Sequence, residues 1–316
     1  MAKVKAEKVK AKKFTFDDLE LILLSLPTVI WYLIFSFLPL FGLLISFKNW
    51  RVSGEFFETF FTSEWVGFKN FQFLFTTGVA MTSLRNTLLY NLLFVVLGVV
   101  IPVTLAIMIS NLYSQKLGKV CQTAMFLPHF MSWVVVAAVF KMILSVNSSG
   151  VVNGTLMNMG LISNPIDFFG SSKYWTGTFF VMNVWKDTGW GTILFLATLS
   201  GISPELYEAA QMDGANRFKR LIYITLPALA NTIITVFILN LAKVMNLFES
   251  VFVTQSAGTY DVSQVLQTYV YNKTFSASFS DYGYTTAVGL FKSFVGMILV
   301  LGCNYASKKV RGRGIV

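Results

Sequence analysis

Ser203-Pro204-Glu205-Leu206-Tyr207-Glu208-Ala209-Ala210-Gln211-Met212-Asp213-Gly214, followed after nine residues by Ile224-Thr225-Leu226-Pro227, is a polar stretch between two strongly apolar ones. Ser203 can cap a helix, and Pro204 suits the first helical position. Glu205, Glu208 and the two alanines favour helix, with carboxylates toward its positive end. Gly214 can adopt positive φ and so end it. These residues predict a helix of about ten residues, roughly 15 Å long. Ala209 and Ala210 are small enough to let a partner surface approach closely, and Glu208 offers that partner a charged acceptor. Pro227 then kinks the start of the next apolar segment. A short polar helix joining two membrane-length segments makes the chain a membrane bundle with one exposed connecting helix.

Composition agrees. Of 316 residues, 55% are hydrophobic and 13% charged, and the mean hydropathy is +0.63. A soluble domain carries about 25% charged residues. Charge-poor runs give six spans at approximately 21–47, 86–111, 120–144, 176–199, 221–248 and 282–307. Each supplies the roughly 20 residues needed to cross about 30 Å of hydrocarbon, and helices satisfy every backbone group within the segment. Period-2 alternation, the mark of a β-barrel, is missing. The expected organisation is a basic tail at 1–18, a six-helix transmembrane domain at 19–307 containing the connecting loop 200–220, and a second tail at 308–316.

Lys and Arg set the orientation. One side of the bundle receives the tail lysines between Lys3 and Lys13, then Lys116, Lys119, Arg217, Lys219, Arg220, Lys308, Lys309, Arg311 and Arg313. The other side receives Lys48, Arg51, Lys69, Arg85, Lys173 and Lys273, so the split is fifteen against six. Both termini are therefore expected in the cytoplasm, and the basic tail faces anionic lipid rather than nucleic acid. The first apolar run is longer than a signal-peptide core and reads as a retained helix, kinked by Pro27 and Pro39. Cys121 and Cys303 fall near cytoplasmic span ends, where no disulfide is expected. His129, the one histidine, has no Cys or carboxylate cluster in sequence and reads as a helix–helix hydrogen bond beside Pro128 rather than a metal ligand. Residues 145–175 read as a turn-rich outer loop, and Trp65–Phe71 as an interfacial amphipathic element. The Asn-x-Ser/Thr triplets at Asn147, Asn153 and Asn272 read as chance matches.

Glu208-Ala209-Ala210, three residues, Gly214, nine residues and Ile224-x-Leu226-Pro227 resemble the signature of the membrane-spanning subunits of ATP-binding-cassette importers. Leu206 to Asn216, Asn183-Val184-Trp185-Lys186 and Gly189-Trp190 resemble the carbohydrate-uptake branch. Leu127-Pro128-His129-Phe130-Met131-Ser132-Trp133 and Thr285 to Phe291 resemble its oligosaccharide and polysaccharide-fragment permeases. The resemblance implies the all-α type I importer permease fold. It also implies that the connecting helix docks on an ATPase subunit through Glu205, Glu208, Ala209, Ala210, Asp213, Gly214, Ile224, Leu226 and Pro227. The implied partners are a second homologous permease subunit, two ATPase subunits and an extracytoplasmic solute-binding protein, in a bacterial plasma membrane.

The chain has no G-x-x-x-x-G-K-[ST] phosphate loop, so ATP and Mg are expected on the partner ATPase subunits, with no cofactor on this chain and no enzymatic activity of its own. Charged residues inside spans are costly and tend to face a bundle interior or a wet cavity. Trp185, Lys186, Asp187 and Trp190 of the fourth span, and Asn240, Lys243, Asn246 and Glu249 of the fifth, are of the types that bond sugar hydroxyls or cover sugar rings along a path. Similarity to maltose permeases matches Asn183, Lys186, Asp187, Trp190, Asn240 and Lys243 to the two helices lining the sugar site, with different side chains that imply a different sugar. The three- to four-residue spacing of Asn240, Lys243 and Asn246 would put them on one helical face. Such a path would hold a neutral oligosaccharide through hydroxyl hydrogen bonds. Two other readings stay open: the same architecture moving another solute class, such as amino acids or phosphonate, and a self-contained secondary carrier or channel. The bundle-bracing role of Lys186, Lys243 and Lys292, paired with Asp187 and Glu249, also stays open.

Overall fold

A computed structural model describes residues 15–50, 55–147, 150–276 and 281–311. The tail lysines Lys3–Lys13, Arg51 and Arg313 lie outside them. The described residues are helical, with a single isolated antiparallel bridge between Lys48 and Trp65 and no strand. In chain order the α-helices are α1 (Phe16–Tyr32), α2 (Phe56–Thr62), α3 (Lys69–Thr76), α4 (Gly78–Ser110), α5 (Gln115–Phe126), α6 (Trp133–Ile143), α7 (Val151–Asn158), α8 (Ser172–Ser200), α9 (Pro204–Met212), α10 (Arg217–Arg220), α11 (Leu226–Ala242), α12 (Glu249–Thr254), α13 (Tyr260–Ser263), α14 (Leu266–Tyr271) and α15 (Tyr282–Arg311).

Four helical stretches are long and apolar enough to cross a membrane: Phe16–Phe47, Gly78–Ser110, Arg217–Ala242 and Tyr282–Lys309. A fifth is the bent pair Gln115–Phe130 and Trp133–Ile143. α8 has the length, at 29 residues, but Asn183, Lys186 and Asp187 lower its hydropathy. Its partners explain why this is tolerated: α8 packs along α4 and also meets α5 and α11. Trp175, Phe179, Met182 and Phe195 of α8 are fully buried. A helix shielded by other helices can carry polar groups that lipid would reject.

The first stretch runs unbroken from Phe16 to Phe47. Pro27 sits inside α1 without interrupting it. The helical geometry changes instead to π at Leu33–Phe37 and to 3-10 at Leu38–Phe47, where Pro39 occupies the first turn. No side chain between Phe16 and Phe37 is buried. This apolar surface is left to lipid or to another subunit.

Two expected spans are interrupted. The third breaks between Phe130 and Trp133, and its halves meet at 107°. Pro128 lacks an N–H, and the Ser132 hydroxyl accepts the Val135 N–H to cap a new helix, so the chain turns there. The fifth was expected to run to Phe248 but stops at Ala242. Lys243 N–H donates to the Asn240 carbonyl and Asn246 N–H to the Lys243 carbonyl in successive turns. The short helices α12, α13 and α14 then fold back over α4, α6 and α8. At the fifth span's start, Pro227 removes one helical donor, and a π segment at Leu221–Thr225 absorbs the mismatch.

The outer region 145–175 is more ordered than its turn residues predict. It contains α7, and the wholly buried Asn153 pins it. The Asn153 amide donates to the carbonyls of Ser145 (2.8 Å) and Ile166 (3.0 Å) and accepts from Ile166 N–H (2.9 Å). Cys121 and Cys303 are free thiols.

Candidate functional site

The connecting helix forms where the local chemistry places it. α9 spans Pro204–Met212 with Pro204 in its first turn. Ser203 occupies the cap position, but its side chain makes no capping hydrogen bond. At the other end Gly214 has φ +74°. Gly214 N–H reaches the Gln211 carbonyl at 3.1 Å, and Ala215 N–H the Ala210 carbonyl at 2.9 Å. These two bonds are a Schellman closure, which requires the left-handed residue that glycine supplies. Glu205, Glu208, Ala209 and Asp213 are exposed, and Ala210 is half-buried. Leu206 and Met212 are 54% and 89% exposed. The helix is tied to the bundle from its inner side: the Tyr207 hydroxyl pairs with Thr225 Oγ1 at 3.0 Å. Ile224 lies in the π segment after α10, and Leu226 and Pro227 begin α11.

The polar residues of the spans separate into two groups. The first surrounds α8. Lys186 is buried, donates to the His129 carbonyl at 2.9 Å, and lies over the Trp133 ring at 5.5 Å. Asp187 faces His129, with Oδ1 and Nδ1 3.3 Å apart. The imidazole stacks on Trp190, which also stacks on Phe126. Close approach makes this possible: a Cβ on Gly189 would lie 1.9 Å from the Met125 carbonyl oxygen. Trp185 points elsewhere, edge-on to Phe140. Asn183 is buried and donates to the Phe179 carbonyl of its own helix at 2.8 Å, so its amide is used within α8.

The second group forms where the fifth span ends. Because the helix stops at Ala242, the three- to four-residue spacing beyond Asn240 does not describe a helical face. Lys243 and Asn246 lie in turns, and Glu249 begins α12; all three are exposed. Asn240 is half-buried, with its amide beside Gly98 of α4. The Asn246 side-chain oxygen accepts from Lys292 Nζ at 2.9 Å and from Gln267 Nε2 at 3.4 Å. Lys292 thus meets an amide and not Glu249. No hydrogen bond links the two groups among the described residues. His129, Gln267 and Lys292 belong beside the predicted residues. For His129 the signal was its place beside Pro128; for Lys292 it was a lone charge inside an apolar span.

No group of three or more His, Cys, Asp or Glu capable of holding a metal occurs among the described residues. The one contact within 4 Å between a basic and an acidic side chain among them is His129–Asp187, an ion pair only when the imidazole is protonated.

Comparison with known proteins identifies the family. Residues 98–312 match the family model described as binding-protein-dependent transport system inner membrane component. Protein LplB of Bacillus subtilis (strain 168) is 38% identical over 94% of this chain and 91% of its own. The polygalacturonan/rhamnogalacturonan transport system permease protein YteP of the same organism is 34% identical over 93% and 89%. Among solved structures, a chain of a bacterial ABC transporter involved in the import of the acidic polysaccharide alginate superposes with a TM-score of 0.83 at 33% identity, covering 93% of this chain and 97% of that one. A chain of the alginate transporter in complex with an alginate pentasaccharide-bound periplasmic protein gives 0.84 at 33% identity over 95% and 97%. The likeness extends over nearly the whole length and includes both α9 and the helices that carry the polar groups, and the chain belongs to the family of binding-protein-dependent transport system inner membrane components.

Proposed function

We propose that this chain is one membrane-spanning half of an ATP-driven importer and passes an oligosaccharide delivered by an extracytoplasmic binding protein. The observation that carries the reading is α9: an exposed helix closed at its C-terminal end by Gly214, anchored from behind by Tyr207 and presenting Glu205, Glu208, Ala209 and Met212 outward. Such a helix can fit a cleft on an ATPase subunit and carry its movement through Ile224, Leu226 and Pro227 into the fifth span. A second permease subunit and two ATPase subunits complete the assembly in the bacterial plasma membrane. ATP and Mg reside on those subunits.

In the type I importer permease fold, counting the bent third segment as one crossing and α8 as another gives six crossings with both termini cytoplasmic. The fifteen-to-six bias of Lys and Arg supports that orientation. Impermeant maleimide should label a single cysteine at exposed Val151 from outside, and should reach one at Met212 only after permeabilisation. The reverse pattern overturns the topology.

Sugar recognition is assigned to Lys186, Asp187 and Trp190, now with His129, and to Asn240 and Asn246. Amides and carboxylates bond hydroxyls, and aromatic faces cover sugar rings. Transport needs the site to bind differently in outward- and inward-open states, so no single residue has to dominate. The test is binding-protein-dependent uptake of a panel of oligosaccharides into proteoliposomes holding the full assembly. Asn240→Leu and Trp190→Ala should each lower uptake several-fold while assembly and basal ATPase activity persist. Normal transport by both variants removes these side chains from the path.

A further inference from the structure

The membrane-length stretch that ends at Ala242 begins at Arg217, so the four residues of α10 stand at its edge. Three of them are cations: Arg217, Lys219 and Arg220. The Asn216 side-chain oxygen accepts Lys219 N–H at 2.8 Å and starts this helix afresh after the turn at Gly214. The chain just before the turn is acidic instead, with Glu205, Glu208 and Asp213. The two groups do not neutralise each other: among the described residues no carboxylate lies within 4 Å of a Lys or Arg side-chain nitrogen. Arg220 Nη1 reaches the Gln211 side-chain oxygen at 3.5 Å. Arg217 and Lys219 are exposed, and their charged ends make no hydrogen bond to a described residue.

The side chains between and beyond these cations are apolar and also face outward. Phe218, Ile222 and Tyr223 are 66%, 38% and 76% exposed. Phe218 and Ile222, four residues apart, share one side of the helix, while Leu221 and Ile224 are half-buried and Thr225 is buried. This turn therefore shows unpaired cations and bare aromatic rings to the same exterior. Water suits the cations and hydrocarbon suits the rings; the headgroup layer of a bilayer suits both. The rings lie inside the membrane-length stretch itself, which favours lipid over a soluble subunit as their cover. Guanidinium groups match phosphate oxygens in a two-point fork, and three uncompensated positive charges favour a lipid of net negative charge over a zwitterionic one.

We infer that α10 and the turn after it form a binding site for the phosphate groups of anionic phospholipids. Arg217, Lys219 and Arg220 hold the phosphates, while Phe218, Ile222 and Tyr223 sink toward the acyl chains. α10 is also the link between α9 and α11, so lipid bound here fixes one end of the element that would carry movement from α9 into the fifth span. ATP-driven transport is thereby tied to the charge of the membrane. The lipid site stands on the geometry of α10 alone; its effect on transport rests on the proposed importer function.

The first experiment needs no transport. The complete assembly is reconstituted in phosphatidylcholine vesicles with a trace of photoactivatable phosphatidylglycerol or photoactivatable phosphatidylcholine, and cross-links are mapped by mass spectrometry. Residues 216–224 of wild type should capture the phosphatidylglycerol probe about tenfold more than the phosphatidylcholine probe, a preference that two or three cations at the surface can supply. Arg217→Gln with Lys219→Gln should remove that preference. Lys116→Gln with Lys308→Gln, which deletes equal charge from other exposed positions, should keep it. Arg220→Gln alone should weaken it about fivefold and serves if the double variant does not assemble. The second experiment compares uptake, and stimulation of ATPase activity by the binding protein, in vesicles of phosphatidylcholine alone and with one part in three phosphatidylglycerol. Wild type and the control should gain several-fold from phosphatidylglycerol, and the α10 double variant should lose most of that gain. Equal capture of the two probes by wild type, or capture unchanged in the double variant, overturns the inference. So does replacement of phosphatidylglycerol by excess inorganic phosphate, which would make the ligand a free anion. A loss of coupling in the double variant that is the same in both lipids would assign α10 to an ATPase subunit and overturn the tie to the membrane. Selective capture without ATP-driven uptake of any sugar leaves the lipid site standing and overturns the importer function.

Discussion

α9 and the polar interior of α8 are built by opposite routes. α9 gathers its helix formers, stop signal and candidate docking residues within Ser203–Gly214, and its closing bonds join residues three and five apart. The polar residues of α8 meet partners 57 and 58 positions away, across the break in the third span. The first can be read from spacing because its geometry is local. The second exists only when helices pack, so its geometry depends on where other helices stop. The variants that follow probe that contrast, taken from the largest expected effect downward.

The long-range site depends on one close approach. Gly189→Leu drives a side chain into the Met125 backbone, since even a Cβ would stand 1.9 Å from its oxygen. Backbone cannot give way cheaply, and overpacking of this kind costs about 1–3 kcal/mol or more. The expected result is loss of folded protein in detergent, read by size exclusion and thermal melting. Gly177→Leu on the same helix meets nothing within 4 Å and should fold. Equal behaviour of the two would mean that α8 does not owe its place to that contact.

The local site should behave in reverse, losing function without losing fold. Ala209→Trp adds bulk at an exposed position of α9. Surface changes of this kind move stability by about 0.5 kcal/mol or less. Gly214→Pro cannot hold φ +74° and removes the N–H bonded to Gln211, which loosens only the end of α9. Both should abolish uptake and stimulation of ATPase activity by the binding protein while the melting temperature of the bundle stays near wild type. Transport that survives with normal stimulation would refute docking through α9.

Lys186→Met tests whether the interior of α8 is held by more than apolar contact. The thioether fills the volume and keeps contact with Trp133, but the His129 carbonyl loses its donor. Leaving a fully buried acceptor unpaired costs about 1–3 kcal/mol, and this part-buried one no more than that. Thermal unfolding should shift down by up to that amount, and an unchanged melt would mean that water or a neighbour satisfies the carbonyl.

Legibility followed the same division. The apolar segments, the glycine stop at Gly214 and the absence of period-2 patterning are local properties, so the helical fold and the connecting helix could be read directly. The stop at Ala242 could not. Nothing between Asn240 and Phe248 is a strong helix breaker, and the turn is imposed by α12 to α14 folding back over α4 and α8. Lys243, Asn246 and Glu249 therefore do not continue the helix of the fifth span as their spacing implies, and Lys292, for which pairing with Asp187 or Glu249 stood open, meets Asn246. The break at Pro128 was half visible: proline marked a kink, but the Ser132 cap that turns it into 107° needed the packed structure. Asn183 reads as a path residue by type, yet its amide closes on Phe179 inside α8.

Asp187→Asn should have the smallest structural effect and separates the two roles open to that side chain. Its pair with His129 is 3.3 Å long, and the Asp187 side chain is 58% exposed. Exposed pairs contribute about 0–1 kcal/mol. Asparagine keeps an acceptor oxygen at the same reach, so the contact with the imidazole can persist without charge. The melting temperature should therefore barely move. If Asp187 bonds sugar hydroxyls, replacing a carboxylate by an amide roughly halves the strength of those bonds, and uptake should fall several-fold with assembly and basal ATPase activity intact. A brace would show the opposite pattern, with a lower melting temperature and uptake per folded complex unchanged. The first outcome places this edge of α8 on the path and makes His129, which orients the carboxylate, a positioning residue. The second assigns the His129–Asp187 contact to holding the broken third span against α8.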